Sequence, residues 1–227
     1  MDTRVKHAYE VRSTLRNTPH AMPLISKPVR AELVSAYTAP DRHYHDLRYI
    51  EALLRLADAC ASAIMDGDAV EAAIWFHDAV YDTRRSDNEE RSAALAMARL
   101  AGTTNEGRIA RIAAMIRATA GHAMPDFTDA AAGRDCALFL DMDLAILGST
   151  AADFDAYEAA VRREYDWVTE PQWQLGRRAV LAQFLARPAI YATTRFRVSH
   201  EAAARRNLAR AIARLDRSAG QANGEDT

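Results

Sequence analysis

The run VEAAIWFHDAVYD sets His77 and Asp78 side by side in an apolar stretch, with Ala72 to Phe76 before them and Ala79 to Tyr81 after. A buried carboxylate without a partner is costly; it shifts its pKa or finds a counter-charge. Two other apolar segments carry ionisable groups in the same way: RHYHDLRYI, with His43 and His45, and FLDMDLAILG, with Asp141 and Asp143. Imidazole and carboxylate together suit a divalent cation such as Mn, Fe, Co, Ni, Zn or Mg. A bound cation also lets aspartates stay ionised away from water.

Helical arithmetic narrows the set. His77 and Asp78 are about 100° apart on a helix, and a long imidazole and a short carboxylate can still meet at one ion. Asp141 and Asp143 are about 200° apart, so at most one is a direct ligand. His43 and His45 face the same constraint if their segment is helical. Asp82 lies four residues after Asp78 and shares its face on a helix spanning 68–82, where it would hold or deprotonate a water, or face solvent. His122, just past a helix, could contact a phosphate or a second metal, or serve only its loop. Arg42, Arg84 and Arg85 are candidates to clamp a phosphate. Asn88 could orient substrate or cap a helix.

The elements that must position these groups read as helices almost throughout. Ala, Leu, Arg and Glu dominate, and alternating β-type patterns are rare. Helices are expected at about 28–38, 45–65, 68–82, 87–101, 105–121, 133–147, 151–167, 171–186 and 199–217. Asp87 with Glu90 reads as a capping box and Asn105 as a cap. Gly102, Gly121 and Gly148 read as stops. Trp75, Phe76, Trp167, Trp173 and Phe184 read as core. The fold class is all-α, a single-domain multi-helix bundle over 1–217, with a polar tail, 218–227, expected to be disordered.

Composition bounds the function. The 227 residues suffice for one domain with a real core, and the formal net charge of -2 gives no global field for nucleic acid or an anionic membrane. Cys60 and Cys136 form no CxxC pair and read as free thiols of a reducing compartment. No apolar run reaches the ~18 residues of a membrane span, and the polar first residues show no secretory signal. The expected location is the cytoplasm.

With these residues in view, the order H, then HD, then D on successive helices resembles the HD superfamily of metal-dependent phosphohydrolases. The blocks RHYHDLRYIEALL, AIWFHDAVYD, SDNEERSA, FLDMDLAILG, EYDWV, GRRAVLAQFLARPAIY and EAAARRNL resemble a bacterial branch of predicted metal-dependent HD phosphohydrolases, over about 31–215. The resemblance implies an HD-type helical bundle with a divalent metal ion held by His77, Asp78 and Asp143, with Asp141 as the alternative to Asp143. It implies His45 as the first ligand, or a site lacking one, because Tyr49 stands where the branch usually has a second histidine. The implied activity is hydrolysis of a phosphoester or phosphoanhydride of a small, nucleotide-like molecule. Asp82 would orient water; His43 or His122, or His45 if it is not a ligand, would protonate the leaving oxygen; and Arg42, Arg84 and Asn88 would hold the substrate. Tyr49 also motivates a different reading, a ligand-binding or regulatory module without turnover. A third, a di-iron oxygenase, would need more histidines than His122 alone.

Overall fold

The computed structural model describes residues 23–222; the weakly patterned start of the chain and the last residues of the expected tail lie outside the described residues. Among the described residues the chain is all-α, with nine α-helices, one 3-10 turn and no strand. In order these are α1 (Lys27–Tyr37), α2 (Leu47–Ala59), α3 (Gly67–Phe76), α4 (Asn88–Leu100), α5 (Glu106–Ala118), α6 (Ala130–Asp143), the 3-10 turn Leu144–Gly148, α7 (Ala151–Glu164), α8 (Glu170–Leu185) and α9 (Thr194–Ala222). Helix α9 extends to Ala222, into the first residues of the expected tail. No helix among the described residues is long and apolar enough to cross a membrane.

Local chemistry sets most starts. Asp46 accepts hydrogen bonds from the amides of Arg48 and Tyr49, Asp66 from Ala69, and Asn105 from Arg108. The expected capping box at α4 does not form: Arg85 takes the Asp87 carboxylate and Arg117 takes Glu90, leaving no side-chain cap.

Helix α3 lies at the centre. Ala69, Val70 and Ala72 to Phe76 are all buried, and the helix packs against α2, α4, α5 and α6. Each of its large side chains contributes about 1.5–3 kcal/mol by burial. His77 and Asp78 follow directly, so they leave a helix that is held on every side. That helix stops at Phe76 and not at residue 82. The cause is Ser92 on α4, whose Oγ accepts from the Val80 amide at 3.0 Å and donates to the Val80 carbonyl at 3.2 Å, drawing the chain away from the helical path.

Helix α6 carries three aspartates with three different tasks. Asp135 is buried and accepts from the amides of Met65 and Asp66, both at 2.8 Å, which ties α6 to the entry of α3. Asp141 is buried and accepts from the Ala192 amide at 2.6 Å, and from the Thr193 amide and hydroxyl at 2.8 and 2.5 Å, which fixes the start of α9. Asp143 faces the cavity described below. Gly148 lets α9 approach the 3-10 turn: a Cβ there would lie 2.5 Å from the Cβ of His200. Trp75 and Phe76 are core, whereas Trp167 is 44% exposed and Trp173 is half-buried in a cavity wall.

Candidate functional site

A cavity of about 540 Å3 opens between the turn after α3, the start of α2, the end of α6, and α7 and α8. That size suits a small molecule. Its wall gathers His45, Tyr49, His77, Asp78, His122 and Asp143 from segments far apart in sequence.

His77 is the centre of the polar group. Its Nδ1 lies 2.9 Å from the Ile74 carbonyl oxygen, which accepts from it, so Nε2 is the nitrogen presented to the cavity. Nε2 lies 3.2 Å from Asp78 Oδ2 and 3.6 Å from Asp143 Oδ1. Asp143 Oδ2 lies 2.8 Å from His122 Nε2. The Tyr49 hydroxyl donates to Asp143 Oδ1 and lies 3.3 Å from His77 Nε2.

Burial and charge oppose each other here. Burial pulls the His77 pKa down, but the charges of Asp78 and Asp143 and their hydrogen bonds outweigh it and hold it well above the usual imidazole range. Burial raises the Asp143 pKa, but hydrogen bonds from His122 and His77 take it well below the usual carboxylate range. Asp78 is lowered too, against its burial, by the charge of His77. Burial and the charge of Asp143 push the Tyr49 phenol well up. A protonated His77 thus serves as counter-charge to two carboxylates.

These donors suit a divalent cation by type: two carboxylates and an imidazole whose other nitrogen is anchored to a backbone carbonyl, the contact that orients metal-binding histidines. Their arrangement is closed. The side chains touch in pairs, with the Tyr49 hydroxyl bridging Asp143 and His77, and among the described residues no three His, Cys, Asp or Glu side chains have the grouping of a formed ion site. Uptake of an ion would displace the proton on His77 and the Tyr49 hydrogen bond.

His45 lines the same cavity but is claimed elsewhere. Its Nδ1 lies 2.7 Å from Glu164 Oε2, and it makes no hydrogen bond or ion pair with His77, Asp78 or Asp143. Glu164, at the end of α7, is the hub of this corner. Its Oε1 accepts from the amides of His43, Tyr44 and His45 at 2.8, 2.7 and 2.9 Å, and its Oε2 accepts from the Tyr81 hydroxyl at 2.9 Å. Burial raises its pKa, but the His45 hydrogen bond and charge with the backbone amides bring it to about 2. An ionised carboxylate only accepts, so His45 Nδ1 carries the proton and Nε2 is the nitrogen left for the cavity.

The other expected residues lie elsewhere. Asp82 is exposed on a loop, not on a helical face with Asp78, because α3 has already ended; its backbone is clamped by Asn88, whose Oδ1 accepts from the Asp82 amide and whose Nδ2 donates to the Asp82 carbonyl. Asn88 is thereby a loop clamp, and it does not line the cavity. His43 gives Glu164 its amide, and its side chain does not line the cavity. Arg42 is buried and donates to the carbonyls of His45 and Ala79 at 2.9 and 3.2 Å, between the rings of Tyr37 and Tyr81; it staples the His45 loop to the turn after α3 and has no face for a phosphate. Arg84 is exposed, 4.6 Å from the Trp167 ring. Sequence reasoning passed over Glu164 and Arg177, although EYDWV and GRRAV contain them. It also passed over the aromatic wall of Tyr44, Tyr81, Tyr157, Tyr165 and Trp173.

Compared with known proteins, the chain matches no family model, no curated protein and no solved structure.

Proposed function

We propose that this chain is a metal-dependent phosphohydrolase acting on a small phosphorylated, nucleotide-like molecule. The observation that carries the reading is the meeting of His77 Nε2 with oxygens of Asp78 and Asp143 at one place in a cavity of small-molecule size. His77, Asp78 and Asp143 would hold the ion. A divalent cation supplies Lewis-acid activation of water and of a phosphoryl oxygen.

The chain's own residues do the rest. His122 positions Asp143 through its 2.8 Å contact. His45, with its Nδ1 proton fixed on Glu164, presents Nε2 to the cavity and in its imidazolium form would give the Nε2 proton to the leaving oxygen. Tyr44, Tyr157, Tyr165 and Trp173 form an apolar wall for the body of the substrate and exclude water beside it. The resemblance to HD phosphohydrolases supports the same reaction class.

The test is purification from manganese-supplemented cells, a screen of phosphomonoesters, nucleotides and cyclic nucleotides, and comparison with Asp78→Ala. Turnover in the wild type and its loss in the variant support the reading; equal turnover in both overturns it.

A second reading, a ligand-binding module without turnover, is favoured by one observation: the Tyr49 hydroxyl already satisfies Asp143 and reaches His77 without an ion. Less than about a tenth of an equivalent of transition metal after supplemented expression would select it.

A further inference from the structure

Beyond the acidic cluster, the cavity has a second polar pole. Among the described residues, Arg177 on α8 is the only lysine or arginine in its wall. Its side chain is about nine-tenths buried, so its hydrogen bonds matter. Nε lies 3.2 and 3.3 Å from the two carboxylate oxygens of Glu158, and Nη2 pairs with the same carboxylate. Nη2 also donates to the Tyr157 hydroxyl oxygen at 2.7 Å. Two donors are then unspent. Among the described residues Arg177 Nη1 has no acceptor, and the Tyr157 hydroxyl, which accepts from Arg177, finds none for its own proton. Both residues line the cavity, and their donor groups are neighbours.

Access is built in beside them. Gly176 lies in the same wall, and a Cβ there would meet nothing within 4 Å. Trp173 and Tyr165, ring centroids 5.7 Å apart, line the same cavity. On the other side, the Tyr157 ring packs 4.5 Å from Tyr44, and Tyr44 packs 5.0 Å from Tyr49, whose hydroxyl bonds Asp143. A run of aromatic rings along one cavity wall therefore links the Arg177 pole to the acidic cluster. A guanidinium nitrogen and a phenol with donors left over once Glu158 is paired, both in a cavity wall, can recognise an anion.

We propose that Arg177 and Tyr157 form a second anion subsite, so that the cavity takes a small molecule with two anionic groups: a phosphoryl group at the His77–Asp78–Asp143 cluster and a phosphate or carboxylate at Arg177. The first half rests on the hydrolase reading; the second rests on the Arg177 pole alone. Glu158 acts as a positioning residue that holds the guanidinium in place.

Isothermal calorimetry on the manganese-loaded full chain tests this with two pairs of probes. Adenosine 5′-phosphate against adenosine 3′,5′-bisphosphate adds a phosphate, and glycerol phosphate against 3-phosphoglycerate adds a carboxylate. The two-anion probe of at least one pair is expected to bind about tenfold tighter or better, a gain typical of one hydrogen bond to a charged group, and the pair that shows it identifies the second anion. Tyr157→Phe keeps the ring against Tyr44 and Phe154, so it preserves the fold while removing one donor, and should lose most of the gain. Arg177→Gln should abolish it. Equal affinity within both pairs, or a gain kept in full by Tyr157→Phe, overturns the subsite. An Arg177-dependent gain in a protein that hydrolyses no phosphoester would sink the hydrolase reading and leave the subsite standing. Hydrolysis without the gain does the reverse.

Discussion

The Tyr49 hydroxyl donates its hydrogen bond to Asp143 and lies 3.3 Å from His77 Nε2, so a phenol bridges two of the groups that a cation would use. A hydroxyl bonded to a carboxylate competes with a cation for the same oxygen. Removing it in Tyr49→Phe should raise manganese affinity by about tenfold, the equivalent of about 1.4 kcal/mol for a hydrogen bond to a charged acceptor. Titration calorimetry reads the change. A loss of affinity instead would mean that the phenol oxygen itself helps to hold the ion.

The two aspartates at the end of α6 should separate cleanly in mutagenesis. Asp141→Asn weakens the acceptor for the Ala192 and Thr193 amides and should cost about 1–3 kcal/mol of stability. Asp143→Asn removes a carboxylate from the cavity and should lower ion binding, whereas Asp141→Asn should leave it unchanged. Urea unfolding and metal stoichiometry, measured on both variants, check the split.

Glu164 predicts an acid limb in the stability curve. Its folded pKa of about 2 lies below its ordinary value of 4.5. A depressed carboxylate contributes stability that is fully present above the ordinary value and is lost as pH falls from about 4.5 through about 2; the contribution is up to about 3 kcal/mol. Glu164→Gln should flatten that limb in urea unfolding followed between pH 5 and pH 2, on the order of the same free energy. An unchanged acid limb would show that the carboxylate is not the hub described.

Arg42 should behave as a structural staple. Arg42→Ala leaves the carbonyl oxygens of His45 and Ala79 without their side-chain donor and strips the cation from between Tyr37 and Tyr81. The expected cost is about 2–4 kcal/mol of stability. Calorimetric binding of a phosphate probe, measured below the variant's Tm, should stay within about twofold of wild type, since the side chain has no face toward the cavity.

The legible parts of this chain were those decided by local pattern. Helix-forming composition and period gave the all-α class and most helices within a few residues, and the half-turn between Asp141 and Asp143 matches their separation, one toward α9 and the other toward the cavity. What was hidden depends on partners distant in the chain. Glu164 reaches amides 119 to 121 residues away, which no local signal announces. The end of α3 at Phe76 depends on Ser92 across the fold, so Asp82 looked helical in a sequence with no Gly or Pro to stop it. Arg42 looked like a phosphate clamp because its two carbonyl partners appear only once the His45 loop is folded against the turn after α3.

The most direct measurement is a crystal of the protein grown with Mn2+ and examined by anomalous scattering at the manganese edge. The account predicts one strong peak in contact with His77 Nε2 and with carboxylate oxygens of Asp78 and Asp143. A map with no peak there, with Tyr49 still bonded to Asp143, would contradict it.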